Sequence, residues 1–130
     1  MMVADTSAII AVLTKEQEGP PFLDAMVNDG EVLVSTASAV ELMIVAMGRG
    51  DDIYQDAIQF LQRPFVRLIP LDQAQMRAAT DAYERYGKGR GHSAGLNFGD
   101  TFAYALATVR HLPLLFKGDD FNKTDIAPAM

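Results

Sequence analysis

Cysteine is absent from the 130-residue chain, so disulfide frameworks, thiolate zinc centres, iron–sulfur clusters and cysteine nucleophiles are excluded. Long apolar runs are missing too. No stretch free of Asp, Glu, Lys and Arg exceeds nine residues, well short of the roughly 20 apolar residues that a membrane-spanning helix needs. Positive charge is scarce: 11 Lys and Arg stand against 17 Asp and Glu, a formal net charge of −6. That balance disfavours an unspecific coat for nucleic acid. It is compatible with an enzyme acting on nucleic acid, because a divalent cation in an acidic site brings phosphate to carboxylates. Neither a GxxxxGK phosphate loop nor a GxGxxG dinucleotide turn occurs. No basic residue precedes the first apolar residues and Asp5 interrupts them, unlike a signal peptide, so the expected location is cytoplasmic.

What is present is an alternation of short β-rich runs with helical patterns: MVA at 2–4, EVLVS at 31–35, FVRLIP at 65–70 and LPLLF at 112–116. The alternation predicts an α/β fold with a parallel sheet, in one domain spanning 1–130. Helices are predicted from Thr6 to Leu13, from Pro20 to near Gly30, from Ser35 to Met47, and from Asp51 to about Leu61. Asp72 caps a further one that Gly87 ends, and Phe98 to about Arg110 forms the last. Between them, Gly87 to Gly99 holds five glycines with Lys88, Arg90 and His92, and is read as a mobile basic loop. Lys88 and Arg90 are candidate phosphate contacts.

Three acids stand alone in apolar surroundings. Asp5 is the only charged side chain in 1–14, Glu41 the only one in 32–48 and Asp100 the only one in 91–109, counting His as neutral. An ionised carboxylate in such a setting is capped, paired or metal-bound, or its pKa rises. Asp5 follows a strand and precedes a helix, at the carboxyl edge where open α/β sheets bind ligands. Glu41 falls inside a helix with Ala37, Ile44, Val45 and Gly48 on its own face, which reads as enclosed. Asp100 opens a helix after Asn97, and Asp119 and Asp120 follow the strand LPLLF. Individually, Asp5 and Asp100 also read as helix-start residues, Glu41 as half of a buried ion pair, and KGDD as a solvated turn. If these ends converge, oxygen-only carboxylate ligands with no Cys and few His select a hard cation, Mg²⁺ or Mn²⁺, the kind of ion that phosphodiester hydrolysis needs.

DTSA at 5–8, VEL around Glu41, NFGDTFAYALA at 97–107, and LLFKGDDF with TDI at 114–126 together resemble a PIN-domain ribonuclease of the VapC toxin class. The resemblance covers essentially the whole chain. It implies a three-layer α/β/α fold around a parallel sheet of four or five strands, and Mg²⁺- or Mn²⁺-dependent endoribonuclease activity. It also implies a homodimer and neutralisation by a VapB-type antitoxin. Residue by residue it makes Asp5, Glu41 and Asp100 the first three site acids and metal ligands, with Asp119 or Asp120 as the fourth. Thr6 and Ser7 match the small hydroxyl residues beside the first acid, placed for metal-bound water or phosphate.

Two other classes fit the composition. A receiver-type phosphoacceptor would use Asp5 or Asp100 with Lys117, but FVRLIP is followed by a cap-like Asp72 where such a domain carries its acceptor. An interaction module would keep the fold and use the acids to receive a basic peptide. The helices carrying FLDAMV and MIVAMG are apolar enough either to pair with a second chain or to fill the core.

Overall fold

The computed structural model describes all 130 residues. Four strands, β1 (Met2–Ala4), β2 (Val32–Ser35), β3 (Val66–Ile69) and β4 (Leu114–Leu115), form one sheet in the order β3-β2-β1-β4. Every pairing is parallel, with Val3 opposite Leu33 on one side and Leu114 on the other. The expected runs are thus all strands, though FVRLIP and LPLLF contribute only their middles. Six helices connect them: α1 (Thr6–Leu13), α2 (Gly19–Asp29), α3 (Thr36–Met47), α4 (Asp51–Leu61), α5 (Gln73–Tyr86) and α6 (Asp100–Arg110). A 3₁₀ turn at Asp120–Lys123 follows β4.

The period-2 alternation of strand side chains sorts the core into two sides. Met2, Ala4, Val32 and Val34 face α1 to α4, meeting Ile9, Met26, Leu42 and Phe60. Val3, Leu33 and Leu114 face the opposite way, against Ala82, Tyr86, Ala103 and Leu106 of α5 and α6. The result is the expected three-layer α/β/α arrangement with four strands. Both faces of the sheet are covered, which is why the strands read as continuous apolar runs.

Local signals start and stop the helices. Asp5, Ser35 and Asp72 cap α1, α3 and α5 by accepting from Ser7 N–H, Ala37 N–H and Gln75 N–H. Pro20 lies in the first turn of α2, where its missing N–H leaves nothing unpaired. Phe22 and Met26 of the FLDAMV helix are buried, so that helix serves the core. The outer face of α3 is different: Val40, Ile44 and Met47 are each more than half exposed.

The glycine-rich stretch is tied down rather than free. Lys88 N–H donates to Leu96 O and Leu96 N–H to Tyr86 O, both at 2.8 Å, and Ala94 and Leu96 are buried. The His92 ring packs edge-on against Tyr86. Five glycines allow the tight path, but two buried aliphatic anchors fix it.

Leu33, fully buried in β2, and Leu68, 46% exposed on the edge strand β3, give a direct contrast. Leu33→Ala will destabilise by about 2–5 kcal/mol and Leu68→Ala by less than about 1 kcal/mol, read from urea unfolding.

Candidate active site

The strand order places β1 between β2 and β4, so the connections out of β1 and β4 diverge at their carboxyl ends, the switch point where open α/β sheets hold ligands. Asp5 is the first residue after β1, and its N–H donates to Leu115 O of β4 at 2.9 Å. A cleft of about 240 Å³ opens there. It is lined by Asp5, Glu41, Asp100 and Asp120, together with Thr6, Ser7, Asn97 and Lys117. Four carboxylates from four different parts of the chain therefore meet at one edge of the sheet.

Asp5 is almost wholly buried. Its Oδ2 accepts from Ser7 N–H at 3.0 Å, while its Oδ1 is buried with no hydrogen-bond partner. Burial pushes its carboxyl up to about 7 against the lowering effect of the Ser7 bonds, with further upward push from the charges of Asp100 and Glu41. Asp100 is held by a reciprocal pair of bonds: its N–H donates to Asn97 Oδ1 at 2.8 Å, and Asn97 N–H donates to its Oδ2 at 3.0 Å. Burial raises Asp100 to about 6, again against the Asn97 bond, with Asp120 and Glu41 adding like charge. Both acids sit at helix N-termini, where the backbone dipole offsets part of the crowding.

Glu41 projects from mid-helix and is half-buried, less enclosed than its apolar neighbours suggested, because Val40 and Ile44 beside it face outward. Gly99 leaves room for its carboxylate. A Cβ on Gly99 would overlap the Glu41 carboxylate, although its backbone is ordinary right-handed helix (φ −63°, ψ −36°) that any residue adopts. Sequence reading missed this glycine, since only the α3–α6 approach reveals its use.

The adjacent acids after β4 separate in space. Gly118, at φ +100°, turns the chain so that Asp120 reaches the cleft. Asp119 is not among the lining residues; its Oδ1 accepts from Asn122 Nδ2 at 3.3 Å. Thr6 and Ser7 also line the cleft, but their hydroxyls are engaged: Thr6 Oγ1 donates to Ser38 O at 3.3 Å, and Ser7 Oγ accepts from Lys117 N–H at 3.0 Å. Lys88 and Arg90 are exposed and do not line the cleft. Lys117, which does, was missed as part of this site because its position depends on the pairing of β1 with β4.

The donor set fits a hard cation: every charged oxygen facing the cleft is a carboxylate, and Asp5 carries a buried oxygen without a partner. No three Asp, Glu or His side chains stand close enough together to grip one ion. Mg²⁺ characteristically takes one or two carboxylates and keeps several waters, so a dedicated cage is not what it requires.

Fold and site together define a PIN-domain protein: the family model for the PIN domain matches residues 2–127. A ribonuclease VapC of Mycolicibacterium smegmatis is 47% identical over 127 residues, covering 97% of this chain and 98% of that protein. Ribonuclease VapC30 of Mycobacterium tuberculosis is 46% identical, with 97% and 96% covered. The solved structure of Mycobacterium tuberculosis VapC20, described as a sarcin-ricin loop cleaving toxin, superposes with a TM-score of 0.78 at 16% identity, covering 98% of this chain and 97% of that one. A toxin–antitoxin complex from Klebsiella pneumoniae gives 0.72 at 18% identity, with 96% and 93% covered. The chain belongs to the VapC family of PIN-domain proteins. That membership sets aside the receiver-type reading. No helix is long and apolar enough to cross a membrane.

The packing of the acids has measurable effects on stability. Asp5 and Asp100 have carboxyls raised in the folded state from 3.8 to about 7 and about 6, so the fold favours their protonated forms. Their contribution is therefore least unfavourable below about pH 4 and worsens as pH rises through 6 and 7. In EDTA, Asp5→Asn will be more stable than the parent by a margin that grows from pH 4 to pH 8, reaching on the order of a few kcal/mol; equal pH profiles of the two melting curves refute this. Gly99→Ala will push the Glu41 carboxylate, the movable end of a flexible side chain, out of its place at a loss of less than about 1 kcal/mol. Adding Glu41→Ala will restore that loss, as a thermodynamic double-mutant cycle reads out.

Proposed function

We propose that the chain is the toxin of a type II toxin–antitoxin pair, a metal-dependent endoribonuclease formed by a single domain over 1–130. The observation that carries the reading is the convergence of Asp5, Glu41, Asp100 and Asp120 on one cleft at the sheet's switch point, with an unpartnered oxygen on buried Asp5. Membership among VapC ribonucleases supports the substrate class.

In this reading Asp5 and Asp100 hold Mg²⁺ or Mn²⁺, with Glu41 as a third ligand, directly or through water. A bound divalent ion supplies Lewis acidity toward a phosphoryl oxygen and lowers the pKa of water. Asp120, not Asp119, orients the attacking water. Ser7 N–H keeps Asp5 turned toward the cleft, and the Asn97 bonds do the same for Asp100. Thr6 and Ser7 line the cleft beside Asp5, placed for metal-bound water or phosphate. Lys88 and Arg90, outside the cleft, meet phosphates farther along the strand. Hydrolysis by water leaves 3′-hydroxyl and 5′-phosphate ends. RNA with unstacked bases suits such a site, since single-stranded or looped segments are the parts whose edges are free.

A VapB-type antitoxin is the partner. The supporting feature is an apolar groove of about 400 Å³ beside the cleft, where Val40, Ile44 and the three-quarters exposed Phe98 stand next to Glu41. A homodimer would use α3 rather than α2, whose Phe22 and Met26 are spent on the core.

Antitoxin-free protein incubated with transfer, ribosomal and messenger RNAs will cut in Mg²⁺ or Mn²⁺ and stop in EDTA. Asp5→Asn, Asp100→Asn and Asp120→Asn will each lower the rate by about a hundredfold or more, while Asp119→Asn stays within about threefold. A 2′,3′-cyclic phosphate product, showing attack by the RNA 2′-hydroxyl, would sink the mechanism.

A further inference from the structure

The cleft is crowded with negative charge, and the substrate class proposed above is itself a polyanion. One cation lines the cleft, Lys117. Its backbone is locked in place: Lys117 N–H donates to Ser7 Oγ at 3.0 Å, and Ser7 N–H donates to Asp5 Oδ2 at 3.0 Å. The root of this side chain is thus two hydrogen bonds from the buried acid. On its other side Gly118 turns the chain to deliver Asp120.

The ammonium, however, pairs with acids that do not line the cleft. Lys117 Nζ donates to Glu16 Oε1 at 2.6 Å and lies 3.3 Å from Glu18 Oε2, both on the segment joining α1 to α2. The second contact is charge without a hydrogen bond, as Glu18 Oε2 receives none. All three side chains are more than one third exposed, at 37%, 36% and 43%, although Glu18 Oε2 itself is buried, so a competing anion can reach the ammonium. A lysine on a four-carbon stem, with a fixed backbone and a part-exposed head, is suited to exchange one oxygen partner for another.

We propose that Lys117 is a phosphate-contacting residue that Glu16 and Glu18 hold in reserve: an RNA backbone phosphate entering the cleft takes their place on the ammonium. The substrate class rests on the ribonuclease reading; the placement of the lysine does not. Lys117 thereby supplies a positioning charge that Lys88 and Arg90, lying outside the cleft, do not bring to it.

The test is binding of a short labelled single-stranded RNA of mixed sequence, followed by anisotropy across a KCl series with Ca²⁺ in place of Mg²⁺. Lys117→Gln will weaken binding about tenfold and make the slope of log K against log salt shallower by about 0.7, the amount by which neutralising one phosphate fewer on a single strand reduces counterion release. Lys117→Arg will restore the slope. Glu16→Gln with Glu18→Gln will tighten binding in the parent and do much less beside Lys117→Gln, which separates release of the lysine from a general drop in repulsion. Melting temperatures report that the Lys117 variants fold, since the Ser7 bond uses the backbone and survives substitution. An unchanged slope in Lys117→Gln, a weakening that arginine does not reverse, or no RNA binding by the parent overturns the inference. Cleavage in Mg²⁺ is scored separately. RNA bound through Lys117 but never cut removes the ribonuclease reading and leaves the lysine, whereas RNA cut with Lys117 immaterial does the opposite.

Discussion

One oxygen of Asp5 is held by the amide of Ser7 and the other, buried, by nothing. Burial and two neighbouring acids push this carboxyl up to about 7, so near neutral pH its charge is opposed by its surroundings. The chain nevertheless puts the residue at the end of a central strand, bonds its N–H to Leu115 O across the sheet, and starts α1 on it. A buried, under-satisfied carboxylate is tolerated only where the rest of the structure over-determines it. Here the two-sided core supplies that constraint: β1 is packed by both layers, and moving Asp5 means moving the strand.

The remaining acids are brought to Asp5 by topology. Because β1 lies between β2 and β4, the chain leaving β1 and the chain leaving β4 open away from each other, and the gap is filled by α3 and the start of α6. Asp5 and Asp100 are helix-start acids as well as lining residues, so the structural and the chemical readings of each are the same fact. Backbone N–H groups at a helix start partly neutralise the carboxylates that the cleft crowds together. Glu41 has no such support. It depends on the missing side chain of Gly99, a steric allowance rather than an attraction.

How much of this is legible in the sequence follows from how local each cause is. The strands and helices were readable because both faces of the sheet are covered and the caps at Asp5, Ser35 and Asp72 are local signals. Asp5, Glu41 and Asp100 stood out as lone charges in apolar segments, and the cleft contains all three. Which of Asp119 and Asp120 lines the cleft was beyond reach, because that depends on the left-handed turn at Gly118 and the 3₁₀ turn after it. Lys117 was hidden for a related reason: its anchor, Ser7, is 110 residues away. The loop of Gly87–Gly99 looked free because glycine count is visible in sequence and the burial of Ala94 and Leu96 is not. Apolar composition likewise misled around Glu41, where Val40 and Ile44 are exposed rather than enclosed.

That exposed face has a consequence for the acid beside it. Glu41 and its neighbour Val45 line both the acidic cleft and the apolar groove of Ala37, Ile44, Phe98 and Phe102. The Glu41 carboxylate is half-buried, with water still able to reach it past the outward side chains of α3. The acidic cleft and the apolar groove therefore share one charged side chain, and the absence of a Cβ at Gly99 leaves room for its carboxylate between them.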